Sequence, residues 1–205
     1  MRVYFVRHGE SVANVEETFS STDPTIHPLT MHGEAQVAKL ADSLKSVSFD
    51  MAYCSDLLRA VQTTEILVRE QGIEYGIDRR LREHNMGVFD GQRDEIAWNA
   101  LRELVKAWNE DGRSDIGPEG GESLDALQER FFSFIADLTQ EFGAGNGTVL
   151  LVGHMGLFWS TLPKLFKNID IEFVREREFG NAGMVIGTFK GGSWRCEEWV
   201  GERLP

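Results

Sequence analysis

Six polar residues spread along the chain could cooperate if the fold assembled them: Arg7, His8, Asn14, Arg59, Glu83 and His154. Two guanidinium groups suit a phosphoryl group, because each offers planar, paired donors to its oxygens. A neutral imidazole is a competent nucleophile near pH 7. A carboxyl group can protonate a departing oxygen when its surroundings raise its pKa. A second imidazole, once protonated, adds positive charge where a transferring phosphoryl group gathers negative charge. Together these residue types describe metal-independent phosphoryl transfer through a covalent phosphohistidine, with no cofactor.

Such a set works only if the chain brings it to one place. Val3 to Val6 is a short apolar run ending at Arg7-His8-Gly9, which reads as a buried strand followed by a loop. Phe49 to Cys54, Ile73 to Ile77 and Thr148 to Val152 are further strand candidates, the last running directly into His154-Met155-Gly156. The pattern predicts a helix from an N-cap at Thr30 to about Val47, with Ala41 and Leu44 inward, and another from Ser55 or Asp56 toward Gly72, carrying Leu57, Val61 and Leu67. A third helix is expected around Glu95 to Trp108. The clearest of all places Leu124, Leu127, Phe131, Phe134, Ile135, Leu138 and Phe142 at three- and four-residue steps. A helix over roughly Leu157 to Phe166 and a hairpin around Gly191-Gly192 complete the reading.

Strands alternating with helices predict an α/β fold: a three-layer α/β/α sandwich on a mostly parallel central sheet, with antiparallel character from the final hairpin. Ligands of open α/β sheets bind beyond the carboxyl ends of the strands. Arg7-His8 and His154 each follow a strand candidate, so two histidines far apart in sequence have a structural reason to meet.

The composition bounds the partners. Aspartate and glutamate total 33 against 21 lysines and arginines, a formal net charge of −12 over 205 residues. That length suits one domain over residues 1–205. The acidity argues against nucleic acid and against anionic membrane as partners, and no stretch is long and apolar enough to span a bilayer. Cys54 and Cys196 form neither a disulfide framework nor a Cys-x-x-Cys pair, and the N-terminal apolar run is too short for a signal peptide, so a cytoplasmic location is expected. The five histidines lack the short paired spacing of a zinc site, and Asp23, Asp50 and Asp56 form no calcium loop. No metal is therefore expected.

Beyond these readings, Val6-Arg7-His8-Gly9-Glu10-Ser11, with Asn14 following, resembles the signature of the histidine phosphatase superfamily, also called phosphoglycerate mutase-like. The resemblance extends over nearly the whole chain: Leu29-Thr30-x-x-Gly33 with Gln36, Ser55-Asp56-Leu57-x-Arg59-Ala60-x-Gln62-Thr63, Leu81-x-Glu83 with Gly87 and Gly91, Gly120-Gly121-Glu122-Ser123, and Gly153-His154-Met155-Gly156. Met155 stands where the family often has a smaller residue. The resemblance implies that His8 is the phosphorylated nucleophile and that Arg7, Arg59 and His154 surround the phosphate. It implies that Asn14 adds a neutral donor, and that Glu83 gives a proton to the leaving group and then serves as base for water. His84 reads as a structural histidine, and His27 as a surface residue.

Three activities remain open on these residues: a metal-independent histidine acid phosphatase-type phosphomonoesterase, a phosphoglycerate mutase-type transferase, and a non-catalytic module that binds phosphorylated ligands. The stretch Glu83 to Gly91 lacks the tyrosine-containing motif that mutases of this family carry after the acid, which favours the phosphatase. A dead module should have lost a core group, and none is missing. The family places specificity after the nucleophile, here Val15 to Pro28 with Glu16, Glu17, Asp23 and His27, and in an insertion around 92–119 with Trp98, Trp108 and Arg113. Arg93, Arg102 and Lys106 read as solvated helix charges. The partner expected is a small-molecule phosphate ester; oligomeric state is not legible.

Overall fold

The computed structural model describes residues 1–69 and 71–205. In chain order the elements are β1 (Arg2–Arg7), α1 (Val12–Val15), α2 (Met31–Leu44), β2 (Met51–Cys54), α3 (Leu58–Val68), β3 (Tyr75–Ile77), α4 (Glu95–Asn109), α5 (Leu124–Phe142), β4 (Thr148–Gly153), α6 (Met155–Leu165), α7 (Ile171–Arg175), β5 (Met184–Lys190), β6 (Ser193–Trp199) and β7 (Glu202–Arg203). The strands form one sheet in the order β3-β2-β4-β1-β5-β6-β7. The pairs β3–β2, β2–β4 and β4–β1 are parallel, whereas β1–β5, β5–β6 and β6–β7 are antiparallel. The expected parallel centre is present, and the antiparallel edge is one strand wider than the predicted hairpin.

Strand alternation builds the layers. Val3 and Phe5 of β1, with Val149 and Leu151 of β4, face a core shared with Phe131 and Ile135 of α5 and Phe158 and Leu162 of α6. Tyr4, Val6, Leu150 and Val152 point the other way, onto Val37 and Leu44 of α2 and Ala60 and Leu67 of α3. Both faces are covered, which is why the central strands read as continuous apolar runs rather than alternating ones. The result is the three-layer α/β/α sandwich that the pattern predicts.

Helix starts decide where the site falls. Thr30 caps α2 as expected, its hydroxyl accepting from the Gly33 N–H at 2.9 Å. The cap of α3 is Leu57 rather than Ser55 or Asp56, and it makes no side-chain cap bond. Asp56 is drawn off by Arg82, which donates to its two carboxylate oxygens at 2.6 and 2.7 Å. Arg59 therefore lies in the first turn of α3. The helix predicted from Leu157 begins at Met155 because His154, directly beyond β4, is its N-cap residue.

Candidate active site

Strand register sets the first distance in the site. Across the β1–β4 ladder Arg7 stands opposite Gly153, and the ladder continues one step further, with the His8 N–H donating to the Gly153 carbonyl at 3.0 Å. His8 and His154 thus leave neighbouring parallel strands side by side, and their ring centroids lie 5.1 Å apart. That separation is close to the spacing of adjacent strands, about 4.8 Å.

His8 is 3% exposed, and its two ring nitrogens have distinct partners. Nδ1 lies 2.7 Å from the Gly9 carbonyl, which can only accept, so Nδ1 carries the proton. Nε2 receives the Arg59 Nε–H at 3.1 Å, so Nε2 carries the lone pair. Both contacts select the same tautomer. Burial, then the nearby Arg59 and Arg7 charges, hold the His8 pKa well below its ordinary value, which keeps the ring neutral at pH 7. The loop after His8 needs its glycine: a Cβ on Gly9 would stand 2.7 Å from the Gly33 carbonyl of α2.

Arg59 is equally buried and is held at three points. Besides His8, it donates through Nη1 to Ser20 Oγ at 3.3 Å and through Nη2 to the Ser20 carbonyl at 2.7 Å. The Ser20 loop is in turn clamped by Asp90, whose Oδ1 accepts from both the N–H and the hydroxyl of Ser21 at 2.7 Å. Burial lowers the Arg59 pKa to about 10, which leaves it charged at neutral pH. Arg7 donates through Nη1 to the Phe179 carbonyl at 2.7 Å, while its buried Nε has no partner among the described residues.

His154 is fully buried, and neither of its ring nitrogens has a partner among the described residues. Buried polar atoms are ordinarily hydrogen-bonded. Of the four orphaned side-chain atoms among the described residues, three, Arg7 Nε and both His154 nitrogens, belong to residues next to His8, and the fourth is Trp199 Nε1. The sequence reading has His154 add positive charge once it is protonated. Burial first, then Arg59 and His8, hold its pKa well below the usual value, so the ring is neutral. It also sits behind His8 rather than on the cavity wall.

Glu83 reaches the same place from the loop before α4. Its Oε2 accepts from the Gly156 N–H at 2.9 Å, and its Oε1 from the Leu157 and His84 N–H groups at 2.9 and 2.8 Å. The first two donors belong to the opening turn of α6, a natural seat for a carboxylate. A Cβ on Gly156 would lie 2.5 Å from Glu83 Oε1, so any larger residue there would displace the carboxylate. Arg130 of α5 fixes the backbone, donating to the Arg80 carbonyl at 2.6 Å and to the Glu83 carbonyl at 3.1 Å, and is itself held by both carboxylate oxygens of Glu122. His84, which also lines the cavity, has its Nε2 2.6 Å from the Glu122 carbonyl.

Asn14 completes the set. Its Oδ1 accepts from Ser11 N, Ser11 Oγ and Asn181 Nδ2, each at 3.0 Å. The amide nitrogen is left without a partner among the described residues. Arg7, His8, Asn14, Arg59 and Glu83 all line one cavity of about 380 Å3. Its remaining wall comes from α4, α6 and the loop at Thr18 to Ser20. Of the residues singled out in the two variable segments, Trp98 and Trp108 face this cavity, whereas Glu16, Asp23, His27, Lys106 and Arg113 do not. Arg113 pairs with Asp115 at 3.0 Å. Sequence reasoning missed Ser20, Arg130, Asn181 and Trp159. Only α4 carried a usable signal: Trp98, Leu101, Val105 and Trp108 recur on one helical stripe.

Two imidazoles and two guanidiniums at the carboxyl ends of parallel strands, faced by a carboxylate on a helix N-terminus, define a phosphoryl-handling α/β protein. The profile of the histidine phosphatase superfamily (branch 1) matches residues 3–201, and the chain belongs to that superfamily. It is 32% identical over 165 residues to the adenosylcobalamin/alpha-ribazole phosphatase of Escherichia coli (strain K12), covering 80% of this chain and 79% of that one. It is 30% identical over 208 aligned residues to the "Probable phosphoglycerate mutase GpmB" of Salmonella choleraesuis (strain SC-B67), covering 98% of this chain and 91% of the relative. The structure of a mycobacterial glucosyl-3-phosphoglycerate phosphatase complexed with VO3 superimposes with a TM-score of 0.81 at 26% identity, over 98% of this chain and 99% of that one. Among the described residues, no helix is long and apolar enough to cross a membrane, and no cluster of three or more His, Cys, Asp or Glu side chains could hold a metal ion.

Proposed function

We propose that the protein is a phosphomonoesterase that hydrolyses a small phosphate ester, without a metal, through a phosphohistidine on His8. The observation that carries this reading is the tautomer of His8, whose Nε2 lone pair is aimed at the Arg59 guanidinium. A phosphoryl group entering between them takes over the Arg59 donor while Nε2 attacks phosphorus. The Nε2–P bond forms, the ester P–O bond breaks, and Glu83, entering this step in its protonated form, gives the departing oxygen its proton. Water then attacks phosphorus and yields its proton to Glu83. The Nε2–P bond breaks and inorganic phosphate leaves, restoring neutral His8.

Arg7 lines the cavity beside His8, and its Nε, unpaired among the described residues, is free to donate to a phosphoryl oxygen, while His154 backs His8 from behind. Asn14 offers its free amide N–H alongside Arg7. The names of relatives include both phosphatases and a mutase. The cavity favours hydrolysis, because Arg7 and Arg59 are its only cationic side chains among the described residues and the phosphoryl group needs both. A phosphoglycerate carboxylate would find no third cation. The insertion around 92–119, which supplies α4, then sets what the single domain accepts. Both cysteines are buried free thiols, which suits a reducing, cytoplasmic setting.

The test is direct. Purified protein should release phosphate from p-nitrophenyl phosphate in the presence of EDTA, and acid-sensitive label from a 32P-ester should appear on the protein after quenching at high pH. His8→Ala should remove the label and lower turnover by at least about 10^4-fold. Label that persists in His8→Ala, or activity abolished by the chelator, rejects the mechanism.

A further inference from the structure

The cavity above His8 is divided by chemistry. Its charged side chains, Arg7, Arg59 and Glu83, gather at the phosphoryl end. The wall beyond them is mostly apolar, with Phe19, Trp98, Leu101, Val105, Trp108 and Trp159, and the neutral polar Thr18 and Ser160 also line the cavity. Two of the three indoles have already committed their N–H groups to protein carbonyls: Trp98 to Glu17 at 3.2 Å and Trp108 to Ile116 at 2.9 Å. What they present to a ligand is ring surface. Trp98 is braced in place by Phe19, with ring centroids 4.4 Å apart.

Arg93 and Arg102 lie elsewhere. They line an adjoining hollow of about 440 Å3 that shares Ala13, Asn14, Thr18 and Trp98 with the cavity, and Glu17 and Glu95 line it with them, so its formal charges cancel. An ester carrying a second anion near its phosphorus would set that anion against hydrocarbon with no counter-charge, which is expensive. A flat apolar ring in the same place would bury its faces against indole.

We propose that this site takes phosphomonoesters of alcohols that bear a flat aromatic ring system, and that Trp98 sets the preference. The proposal rests on the phosphatase reading of the same site and deepens it by naming the leaving group. Non-hydrolysable probes separate the two ideas. By titration calorimetry, 2-naphthylmethylphosphonate should bind about 30-fold more tightly than 2-carboxyethylphosphonate, the ratio expected from burying on the order of 80 Å2 more apolar surface. Trp98→Ala should shrink that ratio about tenfold, and Trp98→Phe should keep most of it.

In parallel, kcat/KM should favour 2-naphthylmethyl phosphate over 3-phosphoglycerate in the same sense. Equal or tighter binding of the carboxylate probe overturns the proposed ligand class, as does an unchanged ratio in Trp98→Ala. Tight binding of the naphthyl probe without turnover of p-nitrophenyl phosphate supports the ligand class and overturns the phosphatase reading instead.

Discussion

The floor and the wall of the cavity are built on opposite terms. The floor holds Arg7, His8 and Arg59, backed by His154, in a buried cluster in which Arg59 and His8 are anchored to backbone and to each other, and Arg7 to the Phe179 carbonyl. The wall is a stripe on α4 plus one indole from α6, with few polar ties and a large apolar area. Floor residues are held by sheet register and by helix starts, so an error of a fraction of an ångström disturbs the reacting atoms. Wall residues need only be apolar and roughly in place. Fixed geometry at the chemistry, beside a forgiving surface for the leaving group, separates the reaction from the choice of substrate.

Substitutions can break that contrast, beginning where the floor is tightest. Arg59→Lys keeps the charge but cannot serve His8, Ser20 Oγ and the Ser20 carbonyl together. It should lower kcat/KM for an aryl phosphate by about 10^3-fold, and a loss of under tenfold would show that the floor is as forgiving as the wall. Gly156→Ala pushes a methyl into Glu83 Oε1 and should move the carboxylate. Hydrolysis of an alkyl phosphate, which needs a proton on its leaving oxygen, should fall about 10^2-fold, against under tenfold for p-nitrophenyl phosphate. Equal loss on both would remove Glu83 from the role of acid.

The floor also carries a pH signature that the wall lacks. His8 and His154 titrate well below 6.5 when folded, whereas the unfolded chain takes up these protons near 6.5. The unfolded state therefore binds more protons as pH falls below that value, and stability drops by at most about 1.4 kcal/mol per pH unit for each histidine. Urea titrations at pH 7 and pH 5.5 should show a smaller loss in the His8→Asn/His154→Asn variant than in the parent. An equal or larger loss would mean that the floor tolerates protonation. Wall variants such as Trp98→Ala sit at the small end of this series, with effects near tenfold.

The same contrast governs what was legible in the sequence. His8, Arg59, Glu83 and His154 could be picked out because chemistry restricts their identity and the loops around them need particular glycines, such as Gly9 and Gly156. The α/β alternation was legible from apolar runs buried on both faces. The Leu57 cap was not, because Asp56 is a good capping residue that an ion pair with Arg82 diverts. Ser20 acts through its carbonyl and hydroxyl, and its neighbour Ser21 is clamped by Asp90, a contact across 69 positions that no local pattern announces. Trp159 lay within a helix that the sequence reading identified, but its cavity-facing side depends on how α6 rotates against α5. Glu70, noted as a carboxylate in the sequence, lies outside the described residues.

The bond from the His8 N–H to the Gly153 carbonyl has one more consequence, and it concerns motion. The proposed nucleophile extends the ladder between β1 and β4 by one rung, so its backbone cannot swing free unless the middle of the sheet opens. Its amide should exchange with solvent on the timescale of global unfolding, while the amides of α4 exchange through cheaper local openings. On the proposed reading, substrate would meet a readily opened wall at α4 and a firmly held group at His8.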